Sequence, residues 1–208
     1  MMRREYQGKP LDEQNVDPDP IKQFDAWFSE AVSSIKDDPN AMILSTADKL
    51  GNPAARTVLL KDFDENGFVF YTNYGSRKAE HIHQNSQVAL TFIWPELVRQ
   101  VCIEGKAEKV PAKQSDDYFN SRPLSSRISA MASPQSQVVS SRAELENRVE
   151  ELHEKFNNEK IHRPDSWGGY IVKPEHIEFW QGRINRLHDR IVYKKGENNA
   201  WYNKRLAP

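Results

Sequence analysis

The chain has 208 residues, a single cysteine and a formal charge of −1 at neutral pH. Such a length can bury a core without disulfides or structural metals, Cys102 has no internal partner and so points to a reducing compartment, and the missing basic excess argues against a general nucleic-acid binder. No run approaches the ~20 apolar residues of a membrane helix, and no apolar stretch of a secretory signal follows the first six residues, so a cytoplasmic protein is expected.

Residues 1–18 are polar and punctuated by proline, and are expected to form a tail that is mobile unless something docks it. Residues 19–208 are expected to form one domain. Asp19 suits an N-cap and Pro20 a first helical position. Phe24, Trp27, Phe28, Ala31 and Ile35 then recur at helical spacing, which predicts a helix packed on a core. Strands are predicted at 41–46, 56–61 and 68–72, with Asn66-Gly67 as a hairpin turn between the last two. A short helix is predicted from Ser76, then strands at 88–93 and 98–110. Within the latter, Cys102 is expected to be a small apolar core residue. Two helices follow, at about 112–120 and from Ser141, where Glu144 completes the spacing of a capping box and Leu145, Val149, Leu152 and Phe156 share a face. Strands return at 167–179, near 190–193 and around 200–202. Short strands joined by tight turns predict a mainly β, α+β fold built on an antiparallel barrel with peripheral helices.

Several chemistries lack their signatures. The nine glycines form neither GxGxxG nor GxxxxGK[ST]. No HExxH, CxxC or GxSxG occurs, so zinc and serine-hydrolase sites are not expected. An enzyme of this composition would draw its hard chemistry from an organic cofactor.

Four segments carry candidate chemistry. In Arg56-Thr57-Val58-Leu59-Leu60-Lys61 an apolar strand has a cation at each end, read either as side chains reaching solvent or as ligand contacts. In Tyr71-Thr72-Asn73-Tyr74-Gly75-Ser76-Arg77-Lys78 a helix begins with two cations that oppose its macrodipole, which a bound anion would explain. Tyr118, Ser121, Arg122, Ser125 and Ser126 combine hydroxyls with a guanidinium, a set suited to a phosphate monoester. In Phe179-Trp180-Gln181-Gly182-Arg183-Ile184-Asn185-Arg186-Leu187-His188-Asp189-Arg190, the alternation of Arg186, His188 and Arg190 predicts one face of an extended segment, next to the flat surface of Trp180. Three potential cations on one face would repel one another unless an anion or a π-system lay against them.

Taken in order, these segments and the ending Arg205-Leu206-Ala207-Pro208 resemble the pyridoxamine 5′-phosphate oxidase family over nearly the whole chain. The resemblance implies a split β-barrel homodimer with two FMN molecules at the subunit interface. It assigns Arg56, Thr57, Val58, Leu59, Leu60, Lys61, Tyr71, Thr72, Ser76, Arg77 and Lys78 to the FMN-contacting strands and helix start. Gln100, Gln135, Ser136, Trp180 and Arg190 match further flavin contacts, some from the opposite subunit. Lys61, Tyr118, Arg122 and Ser126 match the holders of the substrate phosphate. Arg186, Leu187 and His188 match the motif beside the pyridine ring, with Arg186 and His188 as its catalytic pair. Arg3, Arg4, Glu5 and Tyr6 match an N-terminal segment that can fold over the site as a lid. One departure lies beside the phosphate set: Arg127-Ile128-Ser129 stands where many relatives carry Gln-Ile-Gly.

The implied reaction oxidises pyridoxamine 5′-phosphate or pyridoxine 5′-phosphate with FMN and dioxygen, giving pyridoxal 5′-phosphate and hydrogen peroxide. The alternatives are another split-barrel flavoenzyme, such as a flavin reductase, or a non-catalytic carrier of flavin or pyridoxal phosphate.

Overall fold

The computed structural model describes residues 6, 8–156 and 161–208. Helix α1 (Pro20–Ser34) begins as its sequence predicts, with the Asp19 carboxylate accepting from the Ile21 amide at 2.9 Å. Strands β1 (Ala41–Ala47), β2 (Pro53–Leu59), β3 (Asp62–Asp64) and β4 (Gly67–Asn73) follow, then α2 (Arg77–Gln84), β5 (Gln87–Trp94) and β6 (Arg99–Lys109). Three helices come next, α3 (Ala112–Ser121), α4 (Leu124–Ala132) and α5 (Arg142–Lys155). The chain ends with β7 (Trp167–Gln181), a 3-10 turn at Ile184–Arg186, β8 (Asp189–Lys195) and β9 (Trp201–Leu206).

The strands pair antiparallel in the order β2-β1-β5-β6-β7-β4-β3, with β8 and β9 continuing from the far half of β7. The Lys61 amide donates to the Val69 carbonyl at 2.9 Å, which ties the end of β2 to β4. The sheet is thereby a split barrel with helices outside it, in agreement with the antiparallel α+β expectation.

Helix α1 fills one mouth of the barrel. Phe24 is fully buried, with its ring centroid 4.9 to 5.1 Å from those of Phe63, Phe68 and Phe92. Arg99 is also buried, and its charge is answered locally. It donates to Glu30 at 2.8 Å and Gln181 at 3.0 Å, and its guanidinium lies 4.3 Å from the Trp27 ring centre. A second cluster, Phe119, Ile128, Ile161 and Trp167, holds the outer helices against the barrel.

Four features differ from expectation. Helix α4 was not foreseen, because Pro123 reads as a stop whereas here it caps a new start, and only Ile128 and Ala132 of that helix are buried. Cys102 is not a core residue. Val101 and Ile103 take the core-facing positions of β6, and strand alternation turns Cys102 to the opposite face, where it is half-buried between Thr91 and Gln100. The tail is docked from residue 8 onward: Leu11 and Val16 enter the core, and the Tyr193 hydroxyl donates to the Asp17 carbonyl at 2.7 Å. At α5 the Glu144 amide donates to the Ser141 hydroxyl as the capping box requires, but the Glu144 carboxylate accepts from Ser140 instead of Ser141.

The aromatic mouth yields a stability test. Phe24→Ala should cost about 3–5 kcal/mol, read as a lowered urea midpoint. Phe28→Ala, at a partly buried neighbour, should cost less than half as much. Equal losses would show that α1 does not plug the barrel through Phe24.

Candidate active site

A cavity of about 650 Å³ opens between the edge of β2, the end of β4 and helices α3 and α4. Arg56, Thr57, Val58, Leu59 and Lys61 come from β2 and the residues after it, Tyr71 and Thr72 from β4, and Lys78 from α2. The outer helices add Tyr118, Arg122 and Ser126, and the loop after α4 adds Gln135. Four cations therefore line a space with no carboxylate in its lining among the described residues.

Two of these cations, Arg56 and Lys78, are held in place by neutral groups. One Nη of Arg56 donates to the Leu44 carbonyl and the Thr46 hydroxyl, both at 2.8 Å, and that hydroxyl lies 3.3 Å from Nδ1 of the buried His81. Lys78 Nζ reaches Gln135 at 2.9 Å, Thr72 at 3.1 Å and Ser76 at 3.3 Å. Burial lowers the pKa of Arg56, Lys78 and Arg122, and in the first two the neighbouring cations Arg77 and Arg56 add to the effect. Arg122 lies 4.9 Å from the Trp167 ring centre, and its Nη1 is buried with no hydrogen-bond partner among the described residues. An unpartnered guanidinium nitrogen is costly to bury, and an anion would satisfy it.

The remaining wall is aromatic. Tyr71 and Tyr118 stack with centroids 3.9 Å apart, and Trp167 lies parallel to both. Burial, with Tyr118 adding to it, pushes the Tyr71 phenol up to about 12, so it stays neutral. Trp167 was not among the residues singled out from sequence. Its signal was the adjacent glycine pair: a Cβ on Gly168 would lie 2.2 Å from the Tyr74 hydroxyl, and one on Gly169 would lie 2.8 Å from the Tyr71 ring. Asn73 and Ser133 also line the cavity unforeseen.

Other expected residues lie elsewhere. Leu60 is buried in the core, with its backbone bonded to Asn40. Ser76 is buried behind Lys78, and its side chain makes no cap bond to α2. Arg77 is exposed and lines no part of the cavity, so Lys78 is the cation of this helix start that enters it. Ser136 follows Gln135 with a φ of 72°. Arg3, Arg4 and Glu5 lie outside the described residues.

A second cluster forms at the far end of β7. Gln100, Trp180 and Arg190 sit side by side across β6, β7 and β8. His188 lies 4.6 Å from Trp180 by ring centroids, and Tyr6 approaches both rings edge-on. The expectation that Arg186, His188 and Arg190 share one extended face is not met. Asn185 and Arg186 have φ of 54° and 61°, which breaks the strand into a 3-10 turn, and β8 starts only at Asp189. Nor do three free cations repel one another there. Arg190 is paired to both carboxylate oxygens of Glu178 at 2.8 and 2.9 Å, whereas Arg186 and Leu187 are exposed. Nδ1 of His188 accepts from the Arg183 amide at 3.1 Å, which leaves Nε2 as the ring's outward donor when the imidazole is neutral.

Comparison with known proteins agrees with this layout. A family profile described as Pyridoxamine 5'-phosphate oxidase matches residues 28–156, and one described as Pyridoxine 5'-phosphate oxidase C-terminal dimerisation region matches residues 167–208. A protein of Rubrobacter xylanophilus named pyridoxine/pyridoxamine 5'-phosphate oxidase is 54% identical over 207 residues, covering 100% of this chain and 95% of its own length. The crystal structure of PhzG from Burkholderia lata 383, in complex with tetrahydrophenazine-1-carboxylic acid, superimposes with a TM-score of 0.90 at 26% identity, over 97% of this chain and 99% of that one. An FMN binding protein of Nostoc punctiforme PCC 73102, related to pyridoxamine 5'-phosphate oxidase, shares the fold with a TM-score of 0.71 at 16% identity, over 93% and 100% of the two chains. The chain therefore belongs to the pyridoxamine 5′-phosphate oxidase family.

Proposed function

We propose that this protein oxidises pyridoxine 5′-phosphate and pyridoxamine 5′-phosphate to pyridoxal 5′-phosphate, with FMN as cofactor and dioxygen as acceptor. The observation that carries this reading is the cavity lined by Arg56, Lys61, Lys78 and Arg122 with no acidic side chain among the described residues, in a chain 54% identical over its length to a protein named for that activity. Two phosphate groups, one on the cofactor and one on the substrate, are the anions such a space suits. Arg56, Thr72, Lys78 and Gln135 would hold FMN. Lys61, Tyr118, Arg122 and Ser126 would hold the substrate phosphate. Bound FMN would supply the two-electron acceptor for the hydride leaving C4′ and would pass those electrons to dioxygen, giving hydrogen peroxide. From the alcohol the product is the aldehyde directly; from the amine, water is consumed and ammonia released.

The protein's own part is positioning. Arg122 and Lys61 anchor one end of the substrate. The outward N–H of His188 can donate to the oxygen or nitrogen on C4′, and Arg186 can cover the ring. Neither group lines the cavity of its own chain. Trp167 lines the cavity and Trp180 lies beside His188, and the thirteen residue steps of β7 from one to the other amount to roughly 40 Å of strand path. A partner copy would bring its C-terminal cluster to the cavity, so we infer a homodimer with shared sites. The match of residues 167–208 to a dimerisation region supports this, as do the exposed apolar side chains of Ile93, Ile184 and Leu187 around that cluster. A reducing, cytoplasmic setting suits the single free Cys102.

Flavin-loaded protein should consume oxygen and release peroxide when given pyridoxine 5′-phosphate. Bleaching by NADH with no response to the phosphate ester would replace this reading with a flavin reductase. A stable flavin with neither response would make the protein a carrier.

Arg122→Gln should leave the protein yellow and raise KM for pyridoxine 5′-phosphate by about 10–150-fold, the range for one charge-assisted contact of about 1.5–3 kcal/mol. Turnover of unphosphorylated pyridoxine should not change. An equal loss with both substrates would remove Arg122 from the phosphate site.

Arg186→Leu and His188→Ala should keep flavin and a mass near twice the 24.1 kDa chain, and should lower kcat/KM by about 10–150-fold. The larger loss should fall on Arg186. Kinetics unchanged within about twofold would make both ordinary surface residues.

A further inference from the structure

The described end of the N-terminal segment crosses the Trp180–His188 cluster and is fastened from one side. We propose that Arg205, acting with Glu13 and Asp189, is a latch that seats Tyr6 and residues 8–11 over the His188 cluster and so sets how tightly the phosphorylated substrate is held, without touching it. This inference rests on the oxidase reading above. Arg205 projects from β9 and divides its donors among three acceptors. Nε and Nη2 reach Glu13 at 2.8 and 2.6 Å, Nη1 reaches Asp189 at 2.8 Å, and Nη2 also reaches the Leu11 carbonyl at 2.9 Å. The other oxygen of Asp189 accepts from the Leu11 amide at 3.1 Å. Both backbone polar groups of Leu11 are thus held by one ion-pair network, whose Asp189 directly follows His188 in the chain.

From this anchor the segment runs back across the end of β7. At Gly8 an added Cβ would lie 2.0 Å from the Gln181 side-chain nitrogen and 2.6 Å from the Gly182 carbonyl oxygen, so the chain lies flat against the sheet there. Tyr6 then stands edge-on to Trp180 and His188, with centroids 6.0 and 5.6 Å away. Arg205 holds the Glu13 carboxyl below the usual carboxylate range, and Glu13 and then Asp189 raise Arg205, so the Glu13–Arg205 pair is charged near neutral pH. A lysine at 205 would keep the charge but lose the fork that reaches three acceptors at once.

Glu13 and Arg205 are partly exposed, so one such pair sets the docking equilibrium by about fivefold at most. The test uses the full-length, flavin-loaded protein and two variants, Glu13→Gln and Arg205→Lys. Hydrogen exchange at the Leu11 amide should become about fivefold faster in both. KM for pyridoxine 5′-phosphate should rise roughly threefold to fivefold, with kcat within about twofold and flavin content unchanged. In a Tyr6→Ala background, Glu13→Gln should add nothing further to KM, because the latch acts through the segment that carries Tyr6. Unchanged exchange would show that no latch exists. Faster exchange with KM unaltered, or effects of Glu13→Gln and Tyr6→Ala that simply add, would reduce the network to a structural ion pair and overturn the proposal. If the parent protein binds pyridoxine 5′-phosphate but does not oxidise it, the oxidase reading alone fails and the dissociation constant replaces KM as the readout. If it does not bind the ester at all, both fail.

Discussion

The arrangement of the molecule depends on how β7 changes partners. This strand of fifteen residues pairs with β6 along its length, but on its other side it pairs first with β4, over Trp167–Val172, and then with β8, over His176–Gln181. The handover falls at Pro174, which has no amide to give a neighbour. Opposite it the register with β6 shifts between Glu104 and Gly105, and a Cβ on Gly105 would stand 2.0 Å from the Lys173 carbonyl oxygen. A side chain there would force the strands apart at the one point where the sheet must bend. The bend sends β4 and the cavity to one side and the β8–β9 pair to the other. The separation of the two clusters along β7 is therefore a property of the strand ladder, and it is the basis for proposing a site built from two chains.

The cavity is built against its own stability. Arg56 and Lys78 are partly withdrawn from water beside each other, and the groups holding them, the Leu44 carbonyl, Thr46, Thr72, Ser76 and Gln135, are all neutral. Neutral oxygens orient a cation without cancelling its charge. That contrasts with Arg99 and Arg190, which carry structural duties and each have a carboxylate partner. The same residue type is thus used in two ways, and the difference is whether an acid stands next to it. Where none does, the unfavourable term is relieved when an anion arrives, and binding is correspondingly stronger.

Most of the fold could be read in advance because its cues are local. Asp19-Pro20, the alternation in 88–93 and 98–110, and Asn66-Gly67 act through neighbours a few residues away. The cavity side chains were also legible, since hydroxyls and cations clustered on short segments. What escaped depends on distant contacts. Helix α4 is specified less by its own pattern than by burial of Ile128 and Ala132 against α5 and the barrel. Cys102 was misplaced because an apolar run does not say which residues face inward, and the facing is decided by partners on β5 and β7. The turn at Ile184–Arg186 needs two successive residues at positive φ, a choice that alternation along the segment cannot reveal.

That turn also settles what the C-terminal motif can do. Had Arg186, His188 and Arg190 lain on one strand face, they would have formed a single cationic patch, and any of them could have met an anion. The turn separates their roles. Arg190 stays in the ladder and is consumed by Glu178, with its third contact to the Ala207 carbonyl. His188 is fixed by the Arg183 amide, so its ring presents one defined nitrogen. Among the three, Arg186 alone leaves the sheet with its side chain exposed and no bonded carboxylate among the described residues. A permanent charge on a residue that projects from the sheet, beside an imidazole of fixed orientation, is suited to covering a flat aromatic ligand held from elsewhere. It is poorly suited to gripping a phosphate alone, because no second donor shares its face. On the proposed reading, the motif and the cavity would divide the substrate between them, ring to one chain and phosphate to the other.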